Sequence, residues 1–180
     1  MNFRSLLLAM LVVIVTTGLF AQEPISIADA KKQAFGSVVT KIAGRVSSGP
    51  ELSNVSYIQD RTGGIAVFNE NMRTAIRIGD SVVVENANLA EFGNTIGAPG
   101  TGLTQLDGKD LRFTVIPTAR IEPTPRNLSI PLTGEGVEGQ LVKIRRLRFV
   151  ESGKFQANTS FNAIDNSGND IVVRIDRACE

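Results

Sequence analysis

The sequence of 180 residues contains no histidine, no tryptophan and a single cysteine. Without histidine the chain has no imidazole base, no Ser-His-Asp or Cys-His nucleophile and no histidine ligand for zinc. The one cysteine, Cys179, stands next to the last residue, so no disulfide can form within the chain. We therefore predict that the chain is not itself an enzyme, and we expect neither a cofactor nor a bound metal.

Glycine and β-branched residues are abundant. The chain has 17 glycines, and valine and isoleucine dominate its apolar residues. This mixture favours short strands and tight turns over helices. Charged residues make up 21% of the chain without a block of one sign, so the sequence has the character of a folded, mainly β protein and not of a disordered one.

The first 21 residues have the pattern of an export signal. Arg4 gives a positive start, the stretch from Ser5 to Phe20 is uncharged and almost wholly apolar, and Ala21 comes before a polar segment. We expect residues 1–21 to be a cleaved signal peptide, which places the protein in the periplasm, at the cell surface or outside the cell. The alternative is an uncleaved membrane anchor, since the uncharged stretch just reaches the length that spans a bilayer.

The spacing of the apolar residues predicts a short helix and then five strands. The helix is expected over Ile25–Ala34, with Ser26 as its cap and Gly36 at its end. The strands are expected over Val38–Ser48 with Gly44 at the centre, Val55–Asp60, Gly64–Asn69, Ser81–Phe92, and a last strand or hairpin within Leu103–Ile116. One short helix followed by five strands in about 90 residues predicts a closed barrel, and not a sandwich, over residues 25–117.

Four runs of residues in this region carry a family resemblance. They are Ile42-x-Gly44-x-Val46, Tyr57-Ile58-Gln59-Asp60-x-x-Gly63-Gly64-Ile65-x-Val67, Ile78-Gly79-Asp80-x-Val82-x-Val84 and Leu89-x-x-Phe92. These runs resemble secreted bacterial proteins with an OB-fold domain, and the strand-Asp-x-x-Gly-strand core is similar to the anticodon-binding OB domains of aminoacyl-tRNA synthetases. The resemblance implies a five-stranded OB-type Greek-key barrel.

The sequence departs from that family in two ways. Members often carry an extracellular nuclease or lamin-tail-like domain beside the OB domain, and no such domain accompanies the barrel here. Asn86 stands where the family commonly has a glycine in the fourth strand. The resemblance therefore implies a fold and carries over no catalytic activity.

The strand pattern begins again after a proline-rich stretch. Residues 118–131 are predicted as an extended linker, and residues 132–180 as a partial second OB-like unit. In it Asp165–Gly168 takes the place that Asp60–Gly63 has in the first unit. Three strands cannot close a barrel. Either the chain is a truncated piece of a longer protein, which we favour, or the three strands pack on the first barrel.

The expected ligand face of an OB-type barrel lies on strands 2 and 3. Alternation there points Ile58, Ile65 and Val67 inward, and Tyr57, Gln59, Ala66 and Phe68 outward. Aromatic stacking with nearby basic side chains holds single-stranded nucleic acid, so we predict a ligand face made of Tyr57, Gln59, Arg61, Phe68, Lys41 and Arg45. The alternative is that Phe68 packs under the helix and Tyr57 covers a barrel end.

A run of four cations without an acid follows in the second unit: Lys143, Arg145, Arg146 and Arg148. The apolar alternation slips near Arg145 and Arg146, which predicts a bulge that turns all four side chains outward. Such a patch could meet phosphates. The alternative is an ordinary solvated strand face.

Together these features predict an exported, non-catalytic OB-fold binding module whose expected ligand is single-stranded nucleic acid. The alternative is a structural or protein-interaction module of a larger secreted or cell-surface protein. The charge balance favours the alternative, because removal of Arg4 with the signal peptide leaves equal numbers of basic and acidic residues, whereas nucleic-acid binding usually comes with a basic excess. Its partner would be another protein, or a catalytic domain beyond residue 180 if the chain is a fragment. No membrane contact is expected after signal cleavage.

Overall fold

The computed structural model describes residues 22–52, 54–93 and 100–176. The predicted signal peptide, residues 1–21, and Cys179 lie outside these ranges. In the described ranges no helix combines the length and the apolar character needed to cross a membrane. These ranges are mainly β, as the sequence predicts, with two short α-helices and two single-turn 3-10 helices.

The helices and strands are numbered in chain order. They are α1 (Ile27–Ala30), β1 (Val38–Ser48), β2 (Ser56–Gln59), β3 (Gly64–Val67), α2 (Glu70–Ala75), β4 (Ser81–Phe92), β5 (Leu103–Asp107), β6 (Arg112–Ile116), β7 (Arg126–Leu128), η1 (Ile130–Leu132), η2 (Glu135–Val137), β8 (Val142–Ile144), β9 (Arg148–Phe149), β10 (Thr159–Ile164) and β11 (Asp170–Ile175).

Strands β1 to β5 close into a barrel, which confirms the predicted five-stranded barrel. The strand order is β1-β2-β3-β5-β4, and β4 pairs back with β1. Neighbouring strands are antiparallel except β3 and β5, which run parallel with Ala66 opposite Gln105 and Val67 opposite Leu106. The interior holds apolar side chains that are at most 1% exposed: Val39, Ile42, Val46, Ile58, Ile65, Val67, Val82, Val84, Leu89 and Leu106.

The hairpin considered for Leu103–Ile116 is wrong. Strands β5 and β6 do not pair with each other, and both lie along the same edge of β4. Strand β5 pairs with the second half of β4, from Asn88 to Phe92, and β6 pairs with the first half, from Ser81 to Glu85. Strands β5 and β6 therefore run in the same direction along β4, and the pairing is interrupted between them at Gly108, whose φ is 114°. Only β5 also reaches β3 and closes the barrel.

Asn86 lies in β4 between the half that pairs with β6 and the half that pairs with β5. Its backbone is left-handed, with φ 53°, a conformation that asparagine tolerates better than most residues and glycine adopts freely. A β-branched residue is strained there. This backbone geometry suits either glycine or asparagine at this place in the strand.

We expect Asn86→Val to lower the free energy of unfolding by about 1–2 kcal/mol, because the valine side chain opposes the left-handed backbone. Asn86→Gly is the matched control and should change stability by less than about 0.5 kcal/mol. Urea titrations followed by far-UV circular dichroism measure both. Equal stability of the valine and glycine variants would contradict the argument from backbone conformation.

Helix α1 is one turn long, shorter than the predicted Ile25–Ala34, and it is bound by the loop between β2 and β3. The Ser26 hydroxyl accepts a hydrogen bond from the Asp29 N–H at 3.1 Å, and Asp60 Oδ2 accepts from the Ile27 N–H at 2.9 Å. Burial opposes ionisation of Asp60, but hydrogen bonds from Thr62 and from backbone N–H groups outweigh it and lower the pKa of this carboxyl. The charged form of Asp60 therefore stabilises both the loop and the helix start.

Helix α2 is absent from the sequence-based prediction. Asn69 caps it by accepting from the Met72 N–H at 2.8 Å, and Met72 joins the barrel core at 0% exposure. Only six residues form the helix, too few to show a clear helical period, so its pattern is hidden between the two predicted strands.

The chain after the barrel forms two small sheets, and the first of them joins the segment 118–131 to the second unit. Strands β7 and β8 pair in parallel, and β9, β10 and β11 form an antiparallel sheet. The segment 118–131 that leads to them contains β7 and also contacts the barrel, where Arg120 Nε lies 2.8 Å from Asp80 Oδ1 and the Ile121 N–H donates to the Gly79 carbonyl at 3.1 Å.

The two Asp-x-x-Gly turns have a common geometry. In the first turn Asp60 Oδ1 accepts from the Thr62 N–H at 2.6 Å. In the second, Asp165 Oδ1 accepts from the Ser167 N–H at 2.8 Å. Each aspartate thus binds the backbone two residues further on, as an Asx-turn does, and each turn joins two antiparallel strands.

Candidate binding cleft

The second unit lies against the outer face of β2, β3 and β5, the face on which ligand binding is predicted. Glu138 reaches the barrel with both carboxylate oxygens: Oε2 lies 2.7 Å from Lys31 Nζ, and Oε1 accepts from the Thr104 N–H at 3.0 Å. Three residues further on, the Leu141 N–H donates to Gln59 Oε1 at 3.0 Å. Part of the predicted face is therefore occupied by the protein itself.

Two glycines bring the backbones of the two units close together. A Cβ atom on Gly64 would overlap the Gly139 carbonyl group and would lie 2.7 Å from the Gln140 nitrogen. A Cβ on Gly139 would lie 2.7 Å from the Gly64 carbonyl carbon, and Gly139 has φ +75°. Both positions require the absence of a side chain, because the backbones touch there.

Next to this contact the two units leave an open cleft of about 1040 Å³. Barrel residues form most of its lining, and three residues of the second unit complete it: Leu52, Asn54, Val55, Tyr57, Phe68, Phe92, Leu103, Gln105 and Asp107, then Asn158, Arg174 and Asp176. Phe68 is 53% exposed and Phe92 is 67% exposed. Two largely bare aromatic rings in one concavity, with Tyr57 beside them, make an uncommon surface for a folded protein.

The Tyr57 hydroxyl is held in its neutral form. Burial raises the pKa of this phenol, and the negative charges of Glu138 and Asp176 raise it further. At neutral pH Tyr57 can therefore donate a hydrogen bond from the cleft wall while its ring offers an apolar face.

The polar lining of the cleft has both signs of charge. Asp107 and Asp176 supply carboxylates, and Arg174 supplies the one guanidinium among the lining residues. Asn54, Asn158 and Gln105 add neutral amide groups. The cleft thus offers many hydrogen-bond partners, and its charged lining residues carry a formal net charge of about −1.

Comparison of the chain with protein-family models, with curated proteins and with solved structures finds no match. The function of the protein is therefore inferred from the cleft itself.

The structure divides the six residues of the predicted ligand face. Tyr57 and Phe68 line the cleft, and Phe68 is half exposed. Gln59 lines a separate groove with Arg45 and Arg61, and its amide oxygen accepts from the Leu141 N–H.

The three predicted cations lie outside the cleft. Arg45 and Arg61 line a separate groove of about 440 Å³, and the Arg45 guanidinium donates to the Gly79 carbonyl at 2.7 Å. Lys41 Nζ lies 3.8 Å from Glu85 Oε1. Lys41 and Arg45 belong to β1, and Arg61 belongs to the loop between β2 and β3, so alternation within β2 and β3 could not place them.

Ala66, which is predicted to point outward, is 0% exposed. An outward direction along this strand therefore does not mean contact with solvent.

All four cations of the basic run, Lys143, Arg145, Arg146 and Arg148, are exposed, while the apolar residues between them are half-buried. Arg146 has φ 60°, which marks the place where the alternation changes phase. The run does not line the cleft, so it forms a second, separate surface.

Several lining residues were not predicted as functional. Phe92 ends β4 in the run Leu89-x-x-Phe92, so a signal for it existed in the motif. Arg174, Asn158 and Asp176 come from the second unit, and nothing in their local sequence places them opposite Tyr57. Glu138, which resembles a surface acid in the sequence, has a side chain only 15% exposed.

Proposed function

We propose that this protein is an exported, non-catalytic binding module built on an OB-type barrel, and that single-stranded nucleic acid binds in the cleft. The strand order with its parallel β3–β5 pair supports the OB-type assignment, since this is the Greek-key connectivity of such barrels. The apolar, charge-free stretch before Ala21 supports export.

One observation carries the proposed ligand class: Tyr57, Phe68 and Phe92 line a single concave site on the β2–β3 side of the barrel. Successive bases of a single strand can stack on such rings whatever their sequence, because every base has a flat aromatic face. The side chains of the two phenylalanines have no hydrogen-bonding atoms, so what they offer a ligand is a flat apolar surface.

The charges of the cleft fit bases better than phosphates. Carboxylate and amide side chains accept or donate hydrogen bonds at base edges, as Asp does with the cytosine amino group. Asp107 and Asn158 supply such groups, while Gln105 is buried and donates to Asp107 Oδ2 at 3.4 Å. Phosphates then lie toward solvent, and Arg174 is the cation in reach. This arrangement is compatible with a mature chain of zero net charge.

We expect a fluorescein-labelled oligothymidylate of about 12 nucleotides, within the range of OB-fold site sizes, to bind the chain. Phe68→Ala and Phe92→Ala should each weaken binding about tenfold, because each removes one stacking surface. Fluorescence anisotropy titrations measure the affinities. Phe35→Ala, which removes a 43% exposed ring outside the cleft, is the matched control and should bind like wild type.

Salt dependence separates this mode of binding from binding through phosphates. With Arg174 as the cation of the site, the slope of log K against log salt concentration should be about −0.7, the value for one phosphate contact on a single strand. A slope several times steeper would indicate that the oligonucleotide binds instead to the basic run from Lys143 to Arg148. No binding at low salt, or equal affinity of the two phenylalanine variants and wild type, would refute the proposal.

A protein-interaction module is the second candidate. It is favoured by the mixture of bare phenylalanine rings with charges of both signs, which also suits a peptide segment. Under this function the phenylalanine variants would lose a protein partner in pull-downs from the natural host, and the oligothymidylate would not bind.

A further inference from the structure

We infer that Glu138 is a positioning residue that fixes the second unit against the barrel, and that the cleft is a composite site needing both units. The part of this inference that concerns ligand affinity rests on the proposed function. The part that concerns docking does not.

The Glu138 carboxylate bridges two barrel elements that are far apart in sequence. Lys31 directly follows α1, and Thr104 belongs to β5. Strand β3 pairs with β5 at Gln105 and Leu106, so the Thr104 N–H lies just before this pair, where Glu138 meets it. A single side chain thus binds both the helix end and the closing strand of the barrel.

The ion pair is shielded from solvent. The side chains of Lys31 and Glu138 are only 18% and 15% exposed, unlike the pair of Lys32 with Asp29 at 74% and 62%. Shielded pairs are screened less by salt than exposed ones, and removal of one partner leaves the other charge poorly solvated. Lys31 Nζ also lies 3.4 Å from the Glu138 carbonyl oxygen, so it binds the backbone of the segment as well.

The residues that follow Glu138 also contact the barrel. Gly139 touches Gly64 backbone to backbone, and Leu141 donates to Gln59. Four consecutive residues, 138–141, therefore follow the edge of the barrel face. Because Arg174, Asn158 and Asp176 lie on the far side of the cleft, their distance from Phe68 and Phe92 depends on this docking.

The docking is tested in the full chain by distance measurement. Spin labels are placed at two exposed positions, Asn71→Cys on α2 and Ser160→Cys on β10, in a Cys179→Ser background. Pulsed electron paramagnetic resonance of the parent should give one narrow distance distribution. Glu138→Ala should broaden it, while Glu138→Gln, whose amide oxygen still accepts from Thr104, should have a smaller effect. Glu135→Ala, an exposed acid in η2, is the matched control.

The same variants are titrated with the labelled oligothymidylate. Glu138→Ala should weaken binding by about tenfold, the glutamine variant by less, and Glu135→Ala not at all. A broad distance distribution with unchanged affinity would overturn the composite site and leave the proposed function standing. An unchanged distribution in Glu138→Ala would overturn the role of Glu138. If the wild-type chain binds no oligonucleotide, the proposed function fails, and the distances still decide the docking.

Discussion

Replacement of Ile65 by alanine is expected to lower the free energy of unfolding of the barrel by about 3 kcal/mol. Ile65 lies at the middle of β3 with 0% exposure and packs among branched side chains from the other strands. Loss of three carbon atoms removes buried apolar area and leaves a cavity that a closed barrel cannot collapse to fill. Urea denaturation followed by far-UV circular dichroism measures the loss.

The matched control is Ile121→Ala, which removes the same atoms from a side chain that is 58% exposed. It should change the free energy of unfolding by less than about 0.5 kcal/mol. If the two substitutions cost the same, Ile65 does not face a packed interior and the barrel assignment loses its main support.

Replacement of Gly64 by alanine is expected to detach the second unit from the barrel at a cost of about 2 kcal/mol, equivalent to about a thirtyfold change in the docking equilibrium. The added Cβ overlaps the backbone of Gly139, which cannot move aside as a flexible side chain would. Gly64 is the cleaner position for this test because Gly139 has a left-handed backbone that alanine would also strain.

Amide hydrogen exchange measures the detachment. The Leu141 and Thr104 N–H groups donate across the interface, so their protection should fall about thirtyfold in Gly64→Ala, while core amides such as that of Ile58 keep theirs. Gly136→Ala is the matched control, since a Cβ there meets nothing within 4 Å. Unchanged protection at Leu141 would show that the two backbones do not touch in solution.

The barrel could be predicted from the sequence because the alternation of apolar residues is visible within each strand. The predicted bounds of β1 and β4 are those of the structure, since each has eleven or twelve residues over which alternation is unmistakable. The partners of β5 and β6 could not be predicted in the same way. Both have the alternation of strands, and only the parallel register with β3 decides which of them closes the barrel.

The candidate site was accessible to sequence analysis only in part. Tyr57 and Phe68 follow from alternation in β2 and β3, because a side chain on a short strand has only two directions. Arg174 and Glu138 do not follow, since their positions depend on how residues 132–176 pack on the barrel. Ala66 shows the same limit, because alternation points it outward and it is nevertheless 0% exposed.

The parallel pair of β3 and β5 has a consequence for the order of assembly. A chain that emerges from its amino end has β1 to β4 available before Leu103–Asp107, so the wall stays open until the fifth strand arrives. The Thr104 N–H that Glu138 binds belongs to this late strand. The contact of Glu138 with Thr104 can therefore form only after the fifth strand is in place, so the complete set of contacts between the two parts reports that the barrel has closed.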